Sequence, residues 1–185
     1  MLFGDSRISQ WNPLPSLDNT LFIDAGIAGE TTTEMRRRIQ HDVLRHEPDV
    51  VLIQSGMNDL TAPITRGIKD PDAMLSEMKT NLAYFVDVFA QSGARVIVTP
   101  VLPNRPISLA RKIFWHDQLD QRVADTNEYL QQLASEKSAS WLDLTAVLYD
   151  QNNTLRTDWY IDALHFYQPA YEALNLAVEK HLSTQ

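Results

Sequence analysis

Val50-Val51-Leu52-Ile53-Gln54-Ser55-Gly56-Met57-Asn58-Asp59 settles the architecture of this chain. Its first four residues are apolar without alternation, as in a strand buried on both faces, and such a strand needs cover on both sides. The run then gives way to polar residues and glycine, so the strand opens into a loop that carries Asn58.

The flanking sequence repeats the pattern. Upstream, Met1-Leu2-Phe3 is a short apolar run ended by Gly4, with Asp5 and Ser6 at the turn. Leu21-Phe22-Ile23 is a second run, leading into Asp24-Ala25-Gly26-Ile27-Ala28-Gly29. Thr31 to Thr33 then offer helix N-caps, Glu34 suits a first turn, Met35, Ile39 and Val43 recur every four residues, and Pro48 stops the helix. Downstream, a connection of about 16 residues marks a functional loop. Asp70 and Pro71 start a helix whose stripe includes Met74, Met78, Leu82, Phe85 and Phe89, and Gly93 closes it. Arg95 to Thr99 reads as strand, Pro100 to His116 as a proline-rich excursion, and Leu119 to Leu133 as helix. Ser140 to Leu142 is a fifth strand ending at Asp143, and a last helix starts near Pro169.

Strands alternate with helices, which predicts an α/β fold: a parallel sheet of five strands with helices on both faces. Right-handed crossovers place every strand-to-helix loop at one edge, where such sheets bind ligands. Ser6, Gly29, Asn58 and the stretch from Pro100 to Trp115 therefore converge there. The 185 residues, 44% apolar and 22% charged, fit one domain over 1–185 with a substantial core.

The same composition excludes several kinds of chemistry. A formal charge of −8 argues against a nucleic-acid partner, and Arg36-Arg37-Arg38 reads as a solvated helical face. The absence of cysteine excludes disulfides, thiolate metal sites and a cysteine nucleophile. His46-Glu47-Pro48 lacks the second histidine of a metalloprotease motif, so no metal and no cofactor are expected. No stretch reaches the roughly 20 apolar residues of a membrane span. A soluble, cytoplasmic protein is expected from the sequence as it stands. Export after removal of a signal stays open, as does the question of residues preceding Met1. The oligomeric state is not legible.

Acyl transfer needs a nucleophile, a base, an orienter for that base and donors for the oxyanion. Ser6 supplies a hydroxyl. Asp162-Ala163-Leu164-His165 supplies a carboxylate three residues from an imidazole, close enough on a turn to fix its tautomer. Asp143, which also ends a strand, is the rival orienter. Gly29 lets its amide approach a ligand, and Asn58 either donates its side-chain amide or caps the turn after its strand. Asp5 and Asp59 read as turn hydrogen-bonders. A free imidazole titrates at roughly 6.5, so base catalysis predicts activity that falls on acidification.

Four blocks now stand in order: Gly4-Asp5-Ser6, Gly26-Ile27-Ala28-Gly29-Glu30-Thr31, Gly56-Met57-Asn58-Asp59 and Asp162-Ala163-Leu164-His165. The chain resembles the SGNH hydrolases, or GDSL esterase/lipase family, over nearly its whole length. The resemblance implies one flavodoxin-like three-layer α/β/α domain, with Ser6 as nucleophile, His165 as base and Asp162 as its partner. It also implies an oxyanion hole of the Ser6 and Gly29 amides and the Asn58 side chain. Trp11, and the spacing from Asn58 to the last block, are most similar to the acetylhydrolase branch. The expected activity is then a serine esterase on acetyl or other short-acyl esters of a small molecule or carbohydrate. The alternatives are a lysophospholipase or thioesterase for longer chains, or an inactive binder of acylated glycans.

Three positions depart from the family pattern. Arg7 replaces the aliphatic fourth letter of GDSL and either edges the pocket or faces outward. Asp24 stands where many relatives have Asn, and Phe166 stands where Pro is common. Arg7, Trp11, Arg105 and Phe166 are the expected substrate contacts. Trp115, Trp159, Tyr160 and Tyr167 either stack on a sugar or fill the core.

Overall fold

The computed structural model describes residues 1–105 and 119–184. Five strands, β1 (Leu2–Gly4), β2 (Asp24–Gly26), β3 (Val50–Gln54), β4 (Arg95–Val98) and β5 (Ser140–Trp141), form one sheet in the order β2-β1-β3-β4-β5. Every pairing is parallel, with Leu2 in register with both Asp24 and Leu52, and Val51 with Val96. Among the described residues the α-helices are α1 (Ser6–Ser9), α2 (Thr32–Asp42), α3 (Met57–Thr65), α4 (Pro71–Gln91), α5 (Leu119–Glu136) and α6 (Gln168–Ser183). The fold is a flavodoxin-like three-layer sandwich.

Alternation along each strand divides the interior in two. Phe3, Val51, Ile53, Val96 and Val98 point to one face, under Met35 and Ile39 of α2, Phe85 and Phe89 of α4 and Leu130 of α5. Leu2, Leu52 and Ile97 point to the other, under Ile8, Trp11 and the Tyr171, Leu174 and Val178 stripe of α6. Phe3 meets Phe85 and Phe89 edge-to-face at 5.5 and 5.4 Å, contacts worth roughly 0.5–1.5 kcal/mol each beyond area burial.

Three elements differ from the sequence expectation. Leu21-Phe22-Ile23 is not the second strand; the ladder begins where the Leu2 amide donates to the Ile23 carbonyl, and β2 runs through Asp24–Gly26. An edge strand with one neighbour tolerates a polar residue, and Leu21 is left 80% exposed. The connection after β3 holds α3, whose Met57, Leu60 and Ala62 are buried and which continues past Pro63. Gly4 has no left-handed φ; its constraint is space, because a Cβ there would sit 2.1 Å from the Gln54 carbonyl oxygen. The proline-rich excursion lies, from residue 106 onward, outside the described residues, and Arg111, Trp115 and His116 with it.

Candidate active site

β1 lies where the sheet order reverses, with β2 on one side and β3 on the other. In open parallel sheets that switch point opens a crevice at the carboxyl ends of the strands. Asp5 caps α1 there, its carboxylate accepting from the Arg7 amide at 3.1 Å, and Ser6 is the first helical residue. The Ser6 hydroxyl lies 2.9 Å from Nε2 of His165.

His165 is held by a small hairpin. Tyr160 and Phe166 form an antiparallel bridge with their rings 4.8 Å apart, the Ile161 amide donates to the His165 carbonyl, and the Tyr167 amide donates to that of Trp159. Asp162 divides its oxygens. Oδ1 accepts from the amides of Leu164 at 2.7 Å and His165 at 2.9 Å, and Oδ2 stands 2.8 Å from Nδ1 of His165. An ionised carboxylate only accepts, so Nδ1 carries the proton and Nε2 is left to accept from the Ser6 hydroxyl. Burial pushes the Asp162 carboxyl up, but the bonds from the His165 ring and from the two amides outweigh it and hold it below its ordinary value. Asp143, the rival, is spent elsewhere: Oδ1 accepts from the amide and hydroxyl of Thr145.

The loop after β2 presents Gly29 at the surface with φ +82°. Polar ties brace it on both sides. Arg66 donates to the Gly29 carbonyl and pairs with Glu34 at 2.9 Å. Asn58 Nδ2 donates to the Glu30 carbonyl at 2.9 Å, and Glu34 accepts from the amide and hydroxyl of Thr31. Those bonds, the one from Arg66 first, hold the half-buried Glu34 carboxyl down to about 2. Asp59 is no turn residue. It is buried and accepts from the amide and hydroxyl of Thr32 at the start of α2, so it ties the Asn58 segment to the Gly29 segment.

The expected substrate contacts need correction. Arg7 is 1% exposed, neither at a pocket edge nor facing outward. Trp11 and Phe166 are each 2% exposed: Trp11 packs on Tyr171 and donates to Asn175, and Phe166 sits between Tyr160 and Tyr171. Tyr160 is buried with them, while Tyr167 is half exposed. The physical role of Trp11, Tyr160 and Phe166 is core, because aromatic bulk beside a short sheet is most stable when covered. Arg105 is exposed, its amide donating to the Ala163 carbonyl beside the His165 hairpin. Sequence reading missed Arg66, whose bond to the Gly29 carbonyl spans 37 positions with no local signal. The Thr31 and Glu34 pair was readable as a capping box.

Fold and site together define a class: an α/β/α sandwich with an aspartate–histidine–serine chain of hydrogen bonds at its switch point. More particularly, the family model of the GDSL-like lipase/acylhydrolase family matches residues 3–173, and the chain belongs to that family. It is 34% identical over 100 residues to the uncharacterized lipoprotein YqeF of Bacillus subtilis (strain 168), a match covering 52% of this chain and 40% of that one. The match thus spans less than half of that relative. Among solved structures, a GDSL-like lipase from Bacteroides thetaiotaomicron superposes with a TM-score of 0.77 at 18% identity, covering 99% of this chain and 86% of that one. A catalytic mutant of Axe2, an acetylxylan esterase from Geobacillus stearothermophilus, superposes at 0.74 and 16% identity, covering 98% and 92%. At these identities the likeness is one of fold.

Proposed function

We propose that the protein is a serine esterase that hydrolyses acetyl or other short-acyl esters, with carbohydrate O-acetyl esters as its substrate class. The observation that carries this reading is the unbroken chain from Asp162 through His165 to Ser6, at 2.8 and 2.9 Å. Ser6 Oγ attacks the ester carbonyl while its proton passes to Nε2 of His165. Asp162 stabilises the imidazolium and keeps the ring in register. The tetrahedral oxyanion is met by the amides of Ser6 and Gly29 and by Asn58, whose nitrogen has a second hydrogen beyond the one given to Glu30. His165 then returns the proton to the departing alkoxide. Water attacks the acyl-enzyme with His165 again as base, releasing the acid and restoring Ser6.

Family membership supports ester hydrolysis, and the acetylxylan esterase among the fold neighbours supports the choice of acyl group and carbohydrate. An apolar cavity of about 200 Å³ lies at the opposite edge, against Met1, Val50 and Arg95 where strands begin. Among the described residues no helix is long and apolar enough to cross a membrane. Of the two compartments considered, the lipoprotein relative favours export. The test compares p-nitrophenyl acetate with the decanoate, for the wild type and Ser6→Ala. The acetate is turned over faster, and Ser6→Ala loses about a thousandfold or more in kcat. Unchanged turnover in Ser6→Ala overturns the reading.

A further inference from the structure

We propose that Arg7 is the positioning residue that sets the Ser6–His165 separation, its buried guanidinium tying the backbone beside the nucleophile to the backbone beside the base. This rests on the roles given to Ser6 and His165 above. Arg7 follows Ser6 directly, and its Nε donates at 3.0 Å to the carbonyl of Leu164, the residue before His165. The two terminal nitrogens donate to the carbonyls of Leu102 and Pro103, in the segment that leaves β4. Tyr160 adds its hydroxyl to the same Pro103 carbonyl at 2.9 Å, and the Arg7 cation lies 5.1 Å from the centre of the Phe166 ring. One rigid planar group thus joins three segments: the start of α1, the exit from β4 and the hairpin of His165.

The cost of that arrangement points to its purpose. Among the described residues the guanidinium hydrogen-bonds to three backbone carbonyls and to no carboxylate. A buried charge without an ion-pair partner is expensive, and an apolar side chain of similar volume fills such a site at lower cost. What the apolar side chain cannot do is fix the directions of three carbonyls. α1 is a helix of four residues, too short to hold Ser6 by its own hydrogen bonds. The hairpin of His165 is short as well, closed by the one bridge between Tyr160 and Phe166. Their mutual distance therefore depends on an external tie, and Arg7 is bonded to both sides of it. Lysine keeps the charge but concentrates its donors on one tetrahedral nitrogen, which does not match three carbonyls around a planar fork.

Arg7→Lys and Arg7→Met test the assignment by steady-state kinetics on p-nitrophenyl acetate and by the rate at which a fluorophosphonate labels Ser6. Expected is a fall of about a hundredfold in kcat, the cost of an ångström-scale misplacement, with KM within about twofold and a parallel fall in labelling rate. Wild-type kcat in either folded variant overturns the proposal, as does a rise in KM at constant kcat, which would mark a substrate contact. If neither variant folds, the ¹⁵N-arginine spectrum of the wild type decides. The Arg7 Nε–H is expected to exchange slowly and to shift when Ser6 is labelled; fast exchange, or no shift, overturns the proposal. A wild type that neither hydrolyses the ester nor labels at Ser6 fails the functional reading instead, and does so before any Arg7 variant is made.

Discussion

The hydroxyl of Ser6 stands 2.9 Å from Nε2 of His165 although 159 positions separate the two residues. The docking of α6 brings the two segments to the same edge of the sheet. Tyr171 and Leu174 of that helix pack with Ile8 and Trp11, which follow Ser6. Asn175 accepts from the Trp11 indole at 2.6 Å and donates to the Pro13 carbonyl at 3.0 Å. The last helix is thus latched to the segment just after the first strand, and the hairpin leading into it is carried to the edge where Ser6 lies.

If Asp162 orients the base, Asp162→Asn places an amide against Nδ1 and favours the wrong tautomer. Kcat is then expected to fall by about 10⁴-fold, as in the worked protease triad. Asp143→Asn loses only acceptor strength toward Thr145, and its kcat is expected within about threefold of wild type. Steady-state kinetics on the two variants check the pair. A costlier Asp143 change would reassign the orienter.

Asn58 has two separable tasks, a hydrogen bond to the Glu30 carbonyl and the proposed donation to the oxyanion. Losing the first costs about 1 kcal/mol of stability, whereas losing the second costs about 10²–10³ in kcat. Asn58→Ala is therefore expected to melt only slightly lower while losing most of its turnover. Thermal melts and kinetics on the same preparation separate the two. A variant that loses stability but keeps kcat would remove Asn58 from the oxyanion hole.

Gly4→Ala is expected to cost about 3 kcal/mol or more, at the upper end for overpacking. The new methyl would sit 2.1 Å from the Gln54 carbonyl oxygen and 2.5 Å from the Ile8 side chain. Ile8 can turn aside, but the carbonyl belongs to the β1–β3 ladder and moves only if the strands part. Urea unfolding measures it, and a loss below about 1 kcal/mol would mean that the strands yield more easily than their register implies.

How much of this was legible depended on range. The apolar run of β3 announced a strand buried on two faces, and Val51 and Ile53 do pack opposite Leu52. Ser6, Gly29 and Asn58 were expected at one sheet edge, because in a parallel sheet the placement of strand-to-helix loops follows from chain direction. Burial of individual side chains was not legible. Arg7 beside Ser6 read as a pocket edge or an outward-facing side chain and Phe166 beside His165 as a pocket wall, since sequence proximity to a site does not tell whether a side chain turns toward the ligand or the core. Nor were the braces legible: Arg66 on the Gly29 carbonyl and Asp59 on Thr32 join residues 37 and 27 positions apart, and hydrogen bonds at that range leave no periodicity to read. β2 was displaced because a three-residue edge strand is chosen by its register with β1 more than by its own hydropathy.

Asp59 makes stability depend on pH in a direction opposite to that of an ordinary paired carboxylate. Burial raises its carboxyl from 3.8 to about 6, against the bonds from Thr32 that pull the other way. The folded protein then binds this proton more tightly than the unfolded chain. The contribution to stability is complete below the unfolded value of 3.8 and is lost as pH rises through about 6. A shift of about two units corresponds to about 3 kcal/mol. Asp59→Asn lacks the titration, so its stability relative to the wild type is expected to rise by about that amount between pH 4 and pH 7, whatever its offset. Urea midpoints of both proteins across that range measure the difference, in which the titration of Glu34, Asp162 and other common carboxylates cancels. A difference that stays constant with pH would mean that Asp59 is ionised throughout and that its bonds to Thr32 outweigh its burial.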